Sequence, residues 1–135
     1  MDIPVYEDGL ESRDFIHIQD VVDGLTAALD ADLPAGVTMN LGAGSPTTVL
    51  DLVAQLLGSG GFSVPVRVTG QYRVGDIRHC FADLTRARQF IGFEPKVSLA
   101  EGLSRFCAWA GSQPMHEDRL EQASAELRAR KLMGD

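Results

Sequence analysis

The sequence predicts an α/β fold in which short strands alternate with helices. Apolar residues alternate in several short stretches and recur at helical spacing between them, and two helix starts carry capping boxes. Hydrophobic residues make up 44% of the 135 residues and charged residues 23%, which is typical of a globular domain. Only about three or four short strands are predicted, so we expect part of a sheet protein rather than a complete doubly wound fold.

The first predicted strand and helix follow one another directly. Apolar and polar residues alternate over residues 14–18, which predicts a short strand. Asp20 is then expected to be the N-cap of a helix over 21–30, where apolar residues follow at helical spacing. After a turn at 34–36, a second strand is predicted over 37–41.

A glycine-rich turn, Gly42-Ala43-Gly44, follows this strand and precedes a helix. The same order occurs in dinucleotide-binding loops. The third glycine of that motif would fall at Thr47, however, and no acidic residue follows at the required distance of about 20 residues. We therefore expect a tight strand-to-helix turn rather than a phosphate-binding loop.

The central elements are one helix, one strand and a long loop. Thr48 begins a capping box, and the helix that it opens is expected to end at Gly58. A third strand is predicted within residues 64–68. Residues 70–82 lack a periodic pattern and are expected to form an ordered loop with a short strand near Cys80.

Three helices are predicted in the last third of the sequence. Asp83 caps a helix that stops at Gly92, and Ser98 begins the capping box of the next one. The apolar residues of this second helix that are expected to face inward are Leu99, Leu103, Phe106 and Trp109. A terminal helix is predicted over 116–132, and its thin apolar stripe indicates docking on a neighbour rather than burial.

Charge and cysteine content exclude several classes of function. The formal net charge of −7 disfavours a nucleic-acid partner, because phosphate backbones repel acidic surfaces. No apolar run approaches the roughly 20 residues that span a bilayer, and the N-terminus lacks the pattern of a secretory signal. Cys80 and Cys107 lack CxxC and metal-ligand spacing. We therefore expect a cytoplasmic protein with reduced thiols, no membrane partner and no metal site.

Two groups of charged residues are candidates for a binding site. Arg13 is the one base among the first 60 residues, which carry ten acids, so it is either paired to Glu11 or Asp14 or held as an anion ligand. The segment 73–79 places two arginines and a carboxylate around a glycine. Arginine forks bind phosphate oxygens, and a carboxylate accepts from sugar hydroxyls. On the residues alone, a diphosphate site and a solvated turn are equally good interpretations.

Four segments resemble, in order and spacing, motifs of the extended short-chain dehydrogenase/reductases, the nucleotide-sugar epimerases and dehydratases. They are Arg13–Val22 (RDFIHIQDVV), Asn40–Leu52 (NLGAG, then TTVLDL), Arg73–Asp83 (RxGD, then AD) and Gly92–Leu103 (GFEP, then LxEGL). Together they cover most of the chain, from about residue 3 to about residue 110. Four collinear motifs make the resemblance specific at the level of the family.

The resemblance implies a site for a UDP- or dTDP-sugar, because the C-terminal half of these enzymes binds the nucleoside diphosphate. Arg13 and Arg73 would contact the diphosphate, and Asp76 would contact the ribose. Arg78 and His79 are further candidates for the same site. The residues of segment 73–79 look closer to those of 4-epimerase-like members than to those of dehydratases, so the resemblance favours a 4-epimerase.

Two hallmarks of the complete family enzymes are missing from the sequence. It has no glycine-rich NAD loop and no catalytic Tyr-x-x-x-Lys, since Tyr6 and Tyr72 are followed four residues later by Leu10 and Asp76. The resemblance therefore implies the C-terminal portion of an incomplete Rossmann-type protein, inactive alone. NAD and the catalytic residues would belong to a missing N-terminal Rossmann portion, and no catalytic or cofactor-binding residue is assigned here. The resemblance also implies a homodimer, because family members are commonly dimers.

Two parts are predicted within the chain. Residues 1–111 would form the substrate-binding portion of an epimerase or dehydratase, and residues 112–135 a helical extension. The alternative is a non-catalytic, truncated or degenerate domain that binds a nucleoside diphosphate or acts as an interaction module through its terminal helix.

Overall fold

The computed structural model describes residues 2–114 and 117–134. Within these ranges it contains five helices and six short strands, which confirms the α/β class. In chain order the elements are β1 (Ile3–Val5), β2 (Ser12–Arg13), α1 (Ile18–Asp30), β3 (Thr47–Thr48), α2 (Val49–Gly60), β4 (Val66–Val68), β5 (Tyr72–Arg73), α3 (Thr85–Ile91), α4 (Leu99–Gly111), α5 (Leu120–Ala129) and β6 (Met133–Gly134). No helix in the described ranges has both the length and the apolar character needed to cross a membrane.

The strands pair two by two instead of forming one continuous sheet. β1 and β4 run parallel, with Ile3 opposite Val66, whereas β2 and β3 run antiparallel, as do β5 and β6. β4 confirms the predicted third strand. β1 was not among the predicted strands, and Pro4 in its centre lacks a backbone donor, which is unusual within a strand. A parallel bridge between Ser12 and His79 lies one residue before the position predicted for a short strand.

The prediction of strands over 14–18 and 37–41 is wrong. Neither segment pairs with another strand in the described parts of the chain. α1 begins earlier than predicted, at Ile18, and its N-cap is His17 rather than Asp20. Alternating apolar residues can bury one side of an extended loop as well as one side of a strand, so the pattern alone does not require a pairing partner.

The predicted caps of α2 and α4 are confirmed. The Thr48 hydroxyl accepts the Asp51 amide at 3.1 Å, and the Ser98 hydroxyl accepts the Glu101 amide at 3.3 Å. α2 runs slightly further than predicted, because the left-handed residue that ends it is Gly61. These side chains satisfy amide groups that have no partner within the helix.

The limits of α3 are also close to those predicted, although its N-cap is Leu84 rather than Asp83. The Asp83 carboxylate accepts the amide of Thr85 at 2.9 Å and its hydroxyl at 2.6 Å, and these bonds hold the pKa of Asp83 below its ordinary value. The helix ends at Gly92, whose φ of 62° suits a residue without a Cβ atom.

The buried core is small and lies beside α3. Leu84, Ala87 and Phe93 form its centre, and several partly buried apolar residues pack around them: Ile16, Met39, Leu41, Ala82 and Ile91. These residues come from the segments before α1, before α2 and around α3. This cluster therefore joins the motif segments, while Val5 of β1 and Met133 of β6 are buried outside it.

The expectation that the apolar face of α4 is buried is wrong for its two aromatic residues. Phe106 is 52% exposed and Trp109 58% exposed, and their ring centroids lie 5.8 Å apart. Both line an open apolar groove of about 540 Å³, together with Leu99 and Leu103. α4 packs mainly against α2, so only part of its apolar face is covered.

The terminal helix is shorter than the predicted range 116–132. α5 begins at Leu120, and residue 116 lies outside the described residues. The chain then turns at Lys131, which has a φ of 58°, and returns as β6 alongside β5. Residues 133–134 therefore pair with the segment 72–73, whereas Leu120 of the predicted apolar stripe is 45% exposed. The boundary between residues 111 and 112 stays a prediction.

Candidate functional site

Three of the predicted site residues line one open cavity of about 500 Å³: Arg73, Asp76 and Arg78. β5 carries Arg73, and Gly75 turns the chain with a φ of 92°, which brings Asp76 back towards it. The Arg73 Nε and Nη2 atoms lie 2.9 and 2.8 Å from the same Asp76 carboxylate oxygen, Oδ2. The guanidinium also lies over the Tyr6 ring, 5.7 Å from its centroid. The local sequence thus creates an arginine–carboxylate pair in the lining of a cavity.

The Arg73–Asp76 pair is open to solvent. An ion pair in such a position contributes little to stability, typically about 0–1 kcal/mol, because water solvates both charges well. Separating the two groups is therefore inexpensive. A ligand that offers an anion to Arg73 and a hydroxyl donor to Asp76 would replace both interactions.

Arg78 lines the same cavity but has different surroundings. Its two terminal nitrogens bind Glu7 at 3.0 Å and Asp8 at 2.6 Å. The Arg78 hydrogen bond, together with the Leu10 amide, holds the pKa of Asp8 below its ordinary value, and the same contact raises the pKa of Arg78. Two carboxylates neutralise this guanidinium, so Arg78 ties distant segments of the chain together.

Arg13 lines a neighbouring cavity of about 520 Å³. Its Nη1 atom donates to the carbonyl of Ser12 at 2.8 Å and to that of Arg78 at 3.2 Å. Within residues 2–114 and 117–134 it forms no ion pair, and so neither Glu11 nor Asp14 neutralises it. Two backbone carbonyls thus hold this guanidinium, and its role as an anion ligand stays a prediction.

His79 does not line the cavity of Arg73. Its Nδ1 atom lies 2.9 Å from the hydroxyl of Ser12, which is buried. This contact continues the bridge between the two residues and indicates a structural role. A direct role of His79 in ligand binding stays a prediction.

Asp14 has a structural role that the motif did not predict. Its carboxylate accepts the amides of Ala43 at 2.6 Å, Gly44 at 3.0 Å and Ala82 at 3.0 Å. A Cβ atom at Gly42 would lie 2.5 Å from Asp14 Oδ2, so the glycine is needed for this close approach. The glycine-rich turn thus binds a carboxylate of its own chain, which favours the expected tight turn over a phosphate-binding loop.

Asp20 and His17 also act within the chain. Asp20 is only 2% exposed, and its carboxylate accepts the amides of Lys96 at 3.1 Å and Val97 at 3.0 Å. His17 Nδ1 accepts the Gln19 amide at 3.1 Å and caps α1. The partners of Asp20 lie 76 and 77 residues along the chain, so no local pattern could have revealed them.

Comparison with known proteins shows which family this chain resembles. Residues 1–42 match the NAD dependent epimerase/dehydratase family. The dTDP-L-rhamnose 4-epimerase of Burkholderia thailandensis is 34% identical over 111 residues, which are 82% of this chain and 30% of that protein. The UDP-glucose 4-epimerase of Thermotoga maritima, solved with UDP-glucose, has a TM-score of 0.71 and 30% identity over 82% of this chain and 35% of its own.

A second solved structure of a 4-epimerase is similar to this chain over a similar share of its length. The UDP-glucose 4-epimerase of Bifidobacterium longum, in complex with NAD⁺ and UDP, has a TM-score of 0.74 and 27% identity over 84% of this chain and 36% of its own. The fold is therefore that of part of a short-chain dehydrogenase/reductase, as the motifs indicate. More narrowly, the chain belongs to the NAD-dependent epimerase/dehydratase family, and it spans about a third of the length of the relatives it matches.

Proposed function

We propose that this chain supplies the nucleoside-diphosphate-binding part of an NAD-dependent NDP-sugar 4-epimerase. The observation that carries the proposal is the exposed Arg73–Asp76 pair in the lining of one cavity. The relatives support it, since one is a dTDP-L-rhamnose 4-epimerase and two solved 4-epimerases carry UDP-glucose or UDP. The ligand class would be a UDP- or dTDP-sugar.

In this proposal each group of the pair has a separate task. The Arg73 guanidinium donates to diphosphate oxygens, for which its planar fork is well suited. Asp76, released from Arg73, accepts hydrogen bonds from the ribose hydroxyls. Arg13 contributes a further cation from the neighbouring cavity, where it forms no ion pair with the described residues.

The charges around the cavity give the two cavity arginines unequal roles. Glu7 and Asp8 occupy Arg78, whereas Arg73 has one exposed carboxylate partner that a ligand can displace. A diphosphate therefore gains more from Arg73 than from Arg78. Loss of Arg78 would mainly loosen the link between the cavity wall and residues 7–8.

NAD and the catalytic tyrosine and lysine would come from a further segment or a partner chain. Two facts support this division. The turn amides of Ala43 and Gly44 already bind Asp14, and the sequence lacks a Tyr-x-x-x-Lys motif. The chain would then bind and orient the nucleotide, while the sugar reacts on residues outside it.

Titration calorimetry with UDP and dTDP tests this proposal on the folded chain. We expect one site for at least one nucleotide, an affinity about tenfold or more weaker in Arg73→Ala, and a smaller loss in Arg78→Ala. Equal losses in the two variants would contradict the assigned roles. No binding of either nucleotide by a folded chain would contradict the proposal and favour a non-catalytic domain.

A further inference from the structure

The end of the chain is paired with the strand that carries Arg73. β6 runs antiparallel to β5, with Met133 opposite Arg73 and Gly134 opposite Tyr72. One residue further, the Val74 amide donates to the Leu132 carbonyl at 2.9 Å. The backbone on both sides of Arg73 is therefore held by this terminal strand.

The contact between β6 and the loop is close. Met133 is only 7% exposed, and a Cβ atom at Gly134 would lie 2.6 Å from the Cζ atom of Tyr72. The turn into β6 places Lys131 at a φ of 58°, a conformation that side chains with a Cβ atom rarely adopt. Such a conformation persists only where the surrounding contacts compensate for it. The Lys131 amide donates to the Arg128 carbonyl and the Leu132 amide to the Leu127 carbonyl, both at 2.9 Å, and these helix-end bonds hold the turn locally. The pairing of β6 with β5 then holds the residues that follow the turn.

The terminal strand holds the loop without filling the cavity. Every residue that lines the cavity belongs to segments 7–8 and 70–78, so the ligand space stays open. On the other side of the loop, the Glu7 amide donates to the Gln71 carbonyl at 2.8 Å. β5 has only two residues, and so short a strand does not keep its conformation without partners.

We infer that residues 131–134 form a strap that positions Arg73 for the nucleoside diphosphate. The strap keeps the loop ordered before the ligand arrives, and a preordered loop loses less conformational entropy on binding. This inference deepens the proposed function and rests on it for the identity of the ligand. Arg73 contacts the ligand, and the strap acts through Arg73.

Two substitutions at Lys131 separate the strap from other effects, because both remove the same charge. Lys131→Pro fixes φ near about −65°, which is incompatible with the turn and directs the chain away from β5. Lys131→Gly permits the observed φ without a steric cost. Amide hydrogen exchange at Val74 measures the pairing, and calorimetry with UDP, or with dTDP if that nucleotide binds more tightly, measures its effect on the ligand.

We expect Lys131→Pro to raise the exchange rate of Val74 and the Kd for the nucleotide by about tenfold each. Lys131→Gly should leave the Kd within about twofold and slow the exchange of Val74, and this result tests the strap even if the proline variant does not fold. The inference is overturned if both variants leave Val74 exchange unchanged, or if the proline variant accelerates exchange and binds as tightly as the parent chain. If the parent chain binds neither nucleotide, the proposed function fails, and the strap is then judged by Val74 exchange alone.

Discussion

Removal of the Asp14 carboxylate should destabilise the chain more than loss of any exposed ion pair. The side chain accepts three backbone amides, and the bonds from Ala43 and Ala82 are partly buried, while the bond from Gly44 is exposed. Leaving a buried amide without an acceptor costs about 1–3 kcal/mol, and water replaces the acceptor at the exposed one. Asp14→Ala should therefore lower the free energy of unfolding by about 3 kcal/mol.

Urea denaturation followed by circular dichroism measures this loss. Asp14→Asn, which keeps the shape and one acceptor oxygen, should lose less than Asp14→Ala. Asp32→Ala is the matched control, because Asp32 is exposed and has no hydrogen bond or ion pair with the described residues; its effect should stay within about 0.5 kcal/mol. If Asp14→Ala and Asp32→Ala had the same unfolding midpoint, the carboxylate would not hold the glycine-rich turn.

Three further measurements test other parts of the fold. Gly42→Ala should destabilise by about 1–3 kcal/mol in urea, because its Cβ atom would lie 2.5 Å from a carboxylate oxygen, whereas Gly111→Ala, with no atom within 4 Å, should not. The chain should lose stability as the pH falls below about 4, because the pKa of Asp8 is lower in the folded state than in the unfolded state. Arg78→Ala should weaken this loss of unfolding free energy at low pH, and an unchanged pH dependence would refute the contribution of the Arg78–Asp8 contact. Trp109, the single tryptophan, should be readily quenched by acrylamide, and a protected, blue-shifted emission would contradict its exposure.

Helices were predictable where their ends depend on neighbouring residues. The hydroxyls of Thr48 and Ser98 bind amides three residues away, so a short stretch of sequence contains all the information needed. The strands over 14–18 and 37–41 were not predictable in the same way. A strand exists only if a distant segment supplies hydrogen-bond partners, and alternation of apolar residues does not say whether one does.

The candidate site was predictable as a set of residues but not as a set of contacts. Arg73 and Asp76 are three residues apart, and a glycine between them makes their meeting foreseeable. The partners of Arg78 lie 70 and 71 residues away, so its neutralisation by Asp8 and Glu7 could not be foreseen. The same holds for the pairing of β6 with β5, which joins the end of the chain to the site.

The most direct test of the account is an amide NMR titration of the chain with UDP, and with dTDP in parallel. The account predicts that shifts concentrate in the loop at Val74, Gly75 and Asp76, with smaller changes near Arg13. It further predicts that Arg73→Ala removes them while leaving the rest of the spectrum intact. Shifts confined to the apolar groove of Phe106, or no shifts with either nucleotide in a folded chain, would contradict the claim that this chain binds a nucleoside diphosphate through Arg73.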